Sequence, residues 1–276
     1  MKHEEHSWKT FDGITVYAQS WTPDTPPRAA IALVHGLGDH SGRYPYVVEG
    51  LVAAGFAVNG FDERGHGRTG GPRVHAPSYA ALMKDIDTHI EVTRKRFAGM
   101  PLFLYGHSHG GAQVLYYGLD RSPAVAGVVA SSPGIRSGVP QSALKIASAK
   151  VLSRLVPTLR IPLGSPVGGI SSDPAWLEIS KNDPLFQEGL TVRLGAHMLE
   201  AGTFILAHKS FPVPLLLMQG TEDKHADPAT SIAFAKSLPG DVTLKVWEGM
   251  RHELHNELRR AEVIAFMRQW LEAHLR

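Results

Sequence analysis

The chain has no cysteine among its 276 residues, which excludes disulfides, a thiol nucleophile and cysteine-ligated zinc. Nor does it carry an excess of charge. Its 28 Lys and Arg stand against 26 Asp and Glu, a formal charge of +2, too little for an electrostatic footprint on nucleic acid. The one basic run, Arg94-Lys95-Arg96, falls where a helix is expected to end and suits that helix's dipole. No apolar run reaches the roughly 18 residues a membrane-spanning helix needs, and Met1-Lys2-His3-Glu4-Glu5-His6 is too polar for a secretory leader. A cytoplasmic protein is the expectation. Low-complexity tracts and fixed-period repeats are missing too, so 43% hydrophobic and 20% charged residues describe a globular chain with a large core.

What is there is a rhythm. His6–Thr10 and Ile14–Trp21 alternate around Asp12-Gly13, a turn pair that favours a hairpin. From Ala29 onward, short apolar runs alternate with amphipathic stretches: 29–34, 44–54, 56–61, 79–97, 102–105, 111–119 and 125–131. Such alternation predicts a parallel sheet with helices on both faces. Between about Ile135 and Ser210 the rhythm breaks, and prolines at 140, 157, 162, 166, 174 and 184 punctuate short helical segments without sheet. The rhythm resumes with a strand at 213–219, a helix at 228–238, a strand at 242–247 and a closing helix from about Glu257 to Leu275. The expected organisation is one core built from 1–135 and 211–276, with 136–210 inserted as a cap.

Leu102-Phe103-Leu104-Tyr105 runs into Gly106-His107-Ser108-His109-Gly110, a G-x-S-x-G motif between a strand and a helix. In that context the serine sits on a sharp turn that lifts its hydroxyl above the sheet. Ser108 is therefore the candidate nucleophile, and acyl transfer needs two backbone N–H groups for the oxyanion. One is expected at His109. The other is expected at Leu37, in the loop His35-Gly36-Leu37-Gly38 after an earlier strand, where His35 is read as a structural histidine holding the loop.

A later strand leads into Gly220-Thr221-Glu222-Asp223-Lys224-His225-Ala226-Asp227-Pro228. Asp227 before Pro228 reads as a helix N-cap, so Asp223, nearer the strand end, is the preferred acid, with Glu222 as a rival. The next strand leads into Met250-Arg251-His252-Glu253-Leu254-His255. Of the two histidines, His252 is the preferred base, and His255 is assigned to the start of the closing helix. No metal and no organic cofactor is called for.

Taken together these residues resemble the monoacylglycerol lipase and lysophospholipase branch of the α/β-hydrolases, over nearly the whole chain. The matching pieces are 35–44, with His35-Gly36 and Ser41-Gly42-Arg43-Tyr44, then Phe61-Asp62-Glu63-Arg64-Gly65-His66-Gly67, the Ser108 elbow, Asn182-Asp183-Pro184-Leu185, Gly220-Thr221-Glu222-Asp223 and Glu248-Gly249 leading to His252-Glu253. The resemblance implies the α/β-hydrolase fold, with a mostly parallel eight-stranded sheet. It also implies Ser108, Asp223 and His252 as the triad, the Leu37 and His109 amides as the oxyanion hole, and a structural Asp62/Arg64/His66 loop. His109 departs from the family, which most often has Met there. A lipid or other ester is the implied substrate, and the cap is expected to shape an acyl tunnel and touch membrane or micelle. The Leu144/Val151/Leu155 stripe suits that contact, although a stripe packed down on the core looks the same in sequence.

Two other readings stay open at this point. A peptidase releasing N-terminal residues, similar to proline iminopeptidases, would hold its substrate ammonium with cap acids such as Glu178, Asp183 and Glu188. A non-catalytic ligand-binding protein on the same scaffold would have lost a triad member, and none is lost here.

Overall fold

The computed structural model describes residues 1–139, 142–162 and 169–275, without the side chains of 143–145. At its start, β1 (Lys2–Lys9) and β2 (Thr15–Thr22) pair antiparallel. The Thr10 hydroxyl closes the turn between them, donating to Asp12 Oδ1 at 2.6 Å and accepting from the Ile14 N–H at 2.9 Å.

The alternation of runs then becomes β3 (Ala29–Val34), α1 (Pro45–Ala53), β4 (Phe56–Phe61), α2 (Tyr79–Arg96), β5 (Leu102–His107), α3 (His109–Arg121) and β6 (Gly127–Ser131). After β6 come α4 (Ala143–Leu155), β7 (Arg160–Ile161), α5 (Pro174–Lys181), β8 (Leu190–Thr191) and α6 (Val192–Ala207). The chain closes with β9 (Leu215–Gly220), α7 (Pro228–Ser237), β10 (Val242–Trp247) and α8 (Arg260–Ala273).

Eight strands form one sheet in the order β1-β2-β4-β3-β5-β6-β9-β10, in which only β2 runs against the rest. The central strands are buried along their whole length, and their residues divide by parity as a pleat requires. Ala30, Ala32, Val34, Leu102, Leu104, Val128, Leu215 and Leu217 share one core with residues of α2, α3, α6 and α7. Ile31, Leu33, Phe103, Tyr105, Val129, Leu216 and Met218 share the other with α1 and α8. This is the α/β-hydrolase architecture expected from the sequence.

Two local expectations give way, and one question that the sequence left open is decided. The 135–210 segment is not free of sheet, because Arg160 and Ile161 pair antiparallel with Thr191 and Leu190, and the Thr191 N–H reaches the Val74 carbonyl at 3.1 Å. The segment is also layered. α6 sinks Leu194, Ala201 and Ile205 into the core against the sheet, whereas α4 packs against α6 and leaves Val151 57% and Leu155 73% exposed. The stripe of α4 therefore faces outward rather than down on the sheet; Leu144 belongs to the residues whose side chains are not described. Finally, His255 is not in the closing helix. It lies buried in a 3₁₀ turn, Leu254–Asn256, and α8 starts only at Arg260. Helix formation is delayed because the Asn256 carbonyl accepts from Ser171 Oγ at 2.9 Å and the Glu257 carboxylate accepts from the Arg251 and Ser172 N–H groups at 2.9 and 3.1 Å.

Strand order reverses between β3 and β5, and the crevice outside the carboxyl ends of strands at such a switch point is where open α/β sheets bind ligands. The loop after β3 and the turn after β5 meet there.

Candidate active site

Ser108 leaves β5 with φ 55° and ψ −118°, a backbone conformation that is costly for a residue with a side chain and persists only where its surroundings force it. The surroundings are glycines. A Cβ at Gly106 would overlap the Gly110 carbonyl, and one at Gly110 would overlap the carbonyl oxygens of Val34 and His35. The turn can thus be this tight only because two side chains are missing, which is the physical content of the motif.

The hydroxyl so presented meets its partners at hydrogen-bond distance. Ser108 Oγ lies 2.8 Å from His252 Nε2, and His252 Nδ1 lies 2.8 Å from Asp223 Oδ2. Nδ1 donates to the carboxylate, which leaves Nε2 as the acceptor for the serine proton. The other Asp223 oxygen accepts from the His225 and Ala226 N–H groups at 2.8 and 3.0 Å, and Gln219 Nε2 donates to Oδ2 at 3.0 Å. Burial works against the Asp223 charge, but His252 and those amides outweigh it and hold the carboxyl down at about 2. Burial likewise works against the His252 imidazolium, and Asp223 again outweighs it, so that pKa is raised above the usual 6.5.

The rivals fall elsewhere. Glu222 is exposed. Asp227 caps α7, accepting from the Ala229 and Thr230 N–H groups at 3.2 Å each behind Pro228. His255 stacks on Tyr44 with ring centroids 4.8 Å apart and is pushed down to about 3 by burial, with Arg43 and His252 adding to it.

The loop after β3 comes against Ser108: a Cβ on Gly36 would lie 3.2 Å from Ser108 Cβ. Leu37 follows directly, and His109 is the first residue of α3, where helical geometry leaves the N–H unpaired. His35 holds the loop as expected, with Nδ1 donating to the Gly36 carbonyl at 2.7 Å and Nε2 accepting from the Glu63 N–H at 2.9 Å. The His109 ring is buried, and burial, with His66 and His35 nearby, pushes it down to about 3, so it stays uncharged at neutral pH. Asp62, Arg64 and His66 are all buried but are tied to different partners. Asp62 Oδ1 accepts from the Ser41 N–H and hydroxyl at 2.8 and 2.6 Å, whereas Arg64 clasps Asp85 and Asp12.

Two groups of residues at the site escaped the sequence. Arg43 is a buried hub, with its guanidinium 2.7 Å from Asp39, 3.2 Å from Glu253, 3.5 Å from Asp183 and 2.9 Å from Ser180 Oγ, sandwiched between the Trp176 and Phe186 rings. It ties the loop after β3 to the residue following His252 and to the segment around α5. Around it, the Gln187 N–H donates to the Gly38 carbonyl at 2.7 Å and the Glu253 N–H to the Ile170 carbonyl at 2.7 Å. The second group is Glu63 with Gln113, whose amide nitrogen lies 2.9 and 2.8 Å from the two carboxyl oxygens and 3.1 Å from His109 Nδ1. Arg43, Glu63 and Glu253 stand inside the matched motifs, which was their only signal; Gln113 had none.

The acids that a peptidase would need are otherwise engaged or turned to solvent. Asp183 is paired with His40 at 2.9 Å and with Arg43, and Glu178 and Glu188 are exposed.

Comparison with known proteins agrees with this fold. Residues 25–259 match the family model described as serine aminopeptidase, S33. The chain is 31% identical over 280 residues to the monoacylglycerol lipase of Mycolicibacterium smegmatis, covering 98% of each. It is 34% identical over 272 residues to an uncharacterized abhydrolase domain-containing protein of Dictyostelium discoideum, of whose length it spans only 28%. Among solved structures, the monoacylglycerol lipase of Paleococcus ferrophilus is similar with a TM-score of 0.84 and 32% identity, covering 99% of this chain and all of that one.

Proposed function

We infer the reaction from one premise: the chain belongs to the serine aminopeptidase S33 family of α/β-hydrolases, and within it is a carboxylic-ester hydrolase of the monoacylglycerol lipase type. Its substrate is a small lipid or ester. The proposal goes further in three respects: the residues that act, the acyl class, and the role of the segment between β6 and β9.

Ser108 is the nucleophile, His252 the general base and then acid, and Asp223 the group that orients His252. The observation that carries this is the unbroken chain from Ser108 Oγ through both nitrogens of His252 to Asp223, each link 2.8 Å. As Oγ attacks the ester carbonyl, its proton passes to Nε2, and the charge that forms on the ring is opposed by the buried carboxylate. The carbonyl oxygen, now negative, is received by the Leu37 and His109 N–H groups, which need no reorganisation to meet it. Collapse expels the alcohol, which takes the proton from Nε2 and leaves an acyl ester on Ser108. Water, deprotonated by the same nitrogen, then releases the carboxylic acid and restores the serine.

Residues 136–210 form a cap on the core of 1–135 and 211–276, and the substrates are monoacylglycerols of medium to long chain. Supporting this is the outer face of the segment, where Val151, Leu152, Leu155, Val156, Leu159 and Ile161 are exposed beside Lys150, Arg154 and Arg160. An apolar patch of this kind marks a surface that contacts something apolar, and flanking cations suit an anionic lipid headgroup. The contact is peripheral, since among the described residues no helix is long and apolar enough to cross a membrane.

The test is hydrolysis of 1-monoacylglycerols of graded chain length, p-nitrophenyl esters and aminoacyl amides by the wild type and Ser108→Ala. Chain-length-dependent ester cleavage lost in the variant is the expected result; turnover of amides alone would replace the reading with a peptidase.

A further inference from the structure

Neither a strand nor a helix carries His252. It stands between β10 and the 3₁₀ turn Leu254–Asn256, and its two neighbours are each held by the segment inserted between β6 and β9. On one side the Arg251 N–H donates to Glu257 Oε1 at 2.9 Å, and the Arg251 guanidinium donates to the Ser171 carbonyl at 2.7 Å. On the other the Glu253 N–H donates to the Ile170 carbonyl at 2.7 Å. The Glu253 side chain reaches into the same segment. Its Oε2 accepts from Trp176 Nε1 at 2.5 Å and from Asn256 Nδ2 at 2.8 Å, while Oε1 accepts from Arg43 at 3.2 Å. All three nitrogens donate, so the carboxyl is the ionised acceptor, and a bond to an ionised group is about twice as strong as one between neutral groups.

Trp176 lies in the first turn of α5, where Asp173 caps the helix and Pro174 opens it. Asp173 Oδ1 accepts from the Ala175 N–H at 2.9 Å and Oδ2 from Arg260 at 2.8 Å, so the start of α5 is itself pinned to the start of α8. The Trp176 side chain is buried, with its ring 5.1 Å from the Arg43 guanidinium and 6.0 Å from the Tyr46 ring. Beyond α5 the same stretch meets the opposite side of the site, where Asp183 pairs with His40 at 2.9 Å and the Gln187 N–H donates to the Gly38 carbonyl at 2.7 Å. Residues 170–187 thus form a strap from the loop that carries His252 to the loop that carries the Leu37 amide. The Trp176 indole is where that strap grips the side chain next to His252.

We propose that Trp176 is a positioning residue for ester hydrolysis: by holding the Glu253 carboxylate it fixes the backbone from which His252 reaches Ser108. The tolerance is small. Nε2 must stay within hydrogen-bond reach of Ser108 Oγ while Nδ1 stays on Asp223, both at 2.8 Å, and a displacement of about 1 Å at such a site costs up to about 10²-fold in rate. Without the indole N–H a buried carboxylate oxygen loses a donor. Glu253 then shifts towards the Arg43 and Asn256 donors that remain, and carries the neighbouring residue with it. Substrate binding is spared, because Trp176 is packed among Arg43, Tyr46 and Glu253. The inference rests on the reading of His252 as the base given above.

The measurement is kcat and KM for a soluble p-nitrophenyl ester, counted per active site by fluorophosphonate titration, together with the rate of fluorophosphonate labelling. Trp176→Phe keeps an aromatic ring beside Arg43 and drops the N–H. It is expected to lower kcat per site and the labelling rate about tenfold, at little change in KM. A merely structural role would lower the number of active sites and leave kcat per site alone. Glu253→Gln is expected to lose at least as much, and the double variant no more than Glu253→Gln alone, because residues acting in one chain are not additive. A fall of less than about threefold in Trp176→Phe, a change confined to KM, or losses that multiply in the double variant overturn the proposal. If Trp176→Phe does not fold, as judged by circular dichroism, the benzothienyl analogue of tryptophan at position 176 decides, since it matches the indole in shape and lacks only the N–H; the same thresholds apply. Turnover retained in His252→Ala would instead overturn the reading of the base, so the two failures are distinct.

Discussion

Nε2 of His252 stands 2.8 Å from Oγ of Ser108, across 144 residues of chain, with no intervening side chain. A serine hydroxyl is a weak nucleophile unless a base takes its proton. Replacing Ser108 by Ala is therefore expected to lower kcat for ester cleavage by at least about 10⁴-fold, without affecting stability by more than a few tenths of a kcal/mol. Active-site labelling by a fluorophosphonate checks the same point, since the variant should take up no probe.

The acid limb of the rate profile follows from His252. In the proposed mechanism His252 must be neutral to act as base. Burial lowers its pKa, but Asp223 outweighs that and raises it above 6.5. The neutral fraction therefore grows as pH rises through that raised value, and activity is expected to be lost below it. Asp223→Asn removes the charge that raises it. The limb should move to lower pH while kcat drops by about 10³ to 10⁴, both read from a pH series of kcat/KM.

Gly110 permits the turn that carries Ser108. A methyl group there meets the Val34 and His35 carbonyls, and backbone cannot step aside as a flexible side chain can. Gly110→Ala is expected to cost on the order of 3 kcal/mol in urea denaturation and to abolish fluorophosphonate labelling of whatever fraction folds.

Arg43 neutralises Asp39 and Glu253, both buried. Removing one partner of a buried ion pair strands the other charges, at about 3 to 5 kcal/mol. Arg43→Met should lower stability by that amount and, because Glu253 adjoins His252, should lower kcat more than it raises KM. Arg43→Lys should rescue little, since a point charge cannot reach three carboxylates and a serine at once.

On the outer face of α4, Val151→Asp and Leu155→Asp alter exposed positions, so stability should stay within about 0.5 kcal/mol. The ratio of turnover on anionic vesicles carrying monoacylglycerol to turnover on a soluble short-chain ester should fall severalfold. An unchanged ratio would remove membrane contact from the functional proposal.

Much of this protein is local and so was legible along the chain. Each central strand is an apolar run bounded by turn residues, because a strand buried on both faces tolerates nothing else. Ser108 announces itself because its turn demands glycines at 106 and 110, and Asp223 and His252 because each follows a strand at the same edge of the sheet. Periodicity, close approach and strand ends are properties of neighbouring residues, and a sequence displays neighbours directly.

What only the tertiary structure decided is which distant polar groups meet. The direction faced by Val151 and Leu155 depends on whether α6 or α4 takes the place against the sheet, and the same apolar spacing serves either. His255 is stacked on Tyr44 rather than starting a helix because Ser171 and Ser172, some 85 residues away, engage the backbone and carboxylate that follow it. The partners of Arg43 and Glu63 come from segments up to 210 residues off, and burial, with Asp85 and Asp39 adding to it, pushes the Glu63 carboxyl up to about 8. Hydrogen bonds and charges inside a protein are set by the folded neighbourhood and its low polarity, which no local pattern encodes.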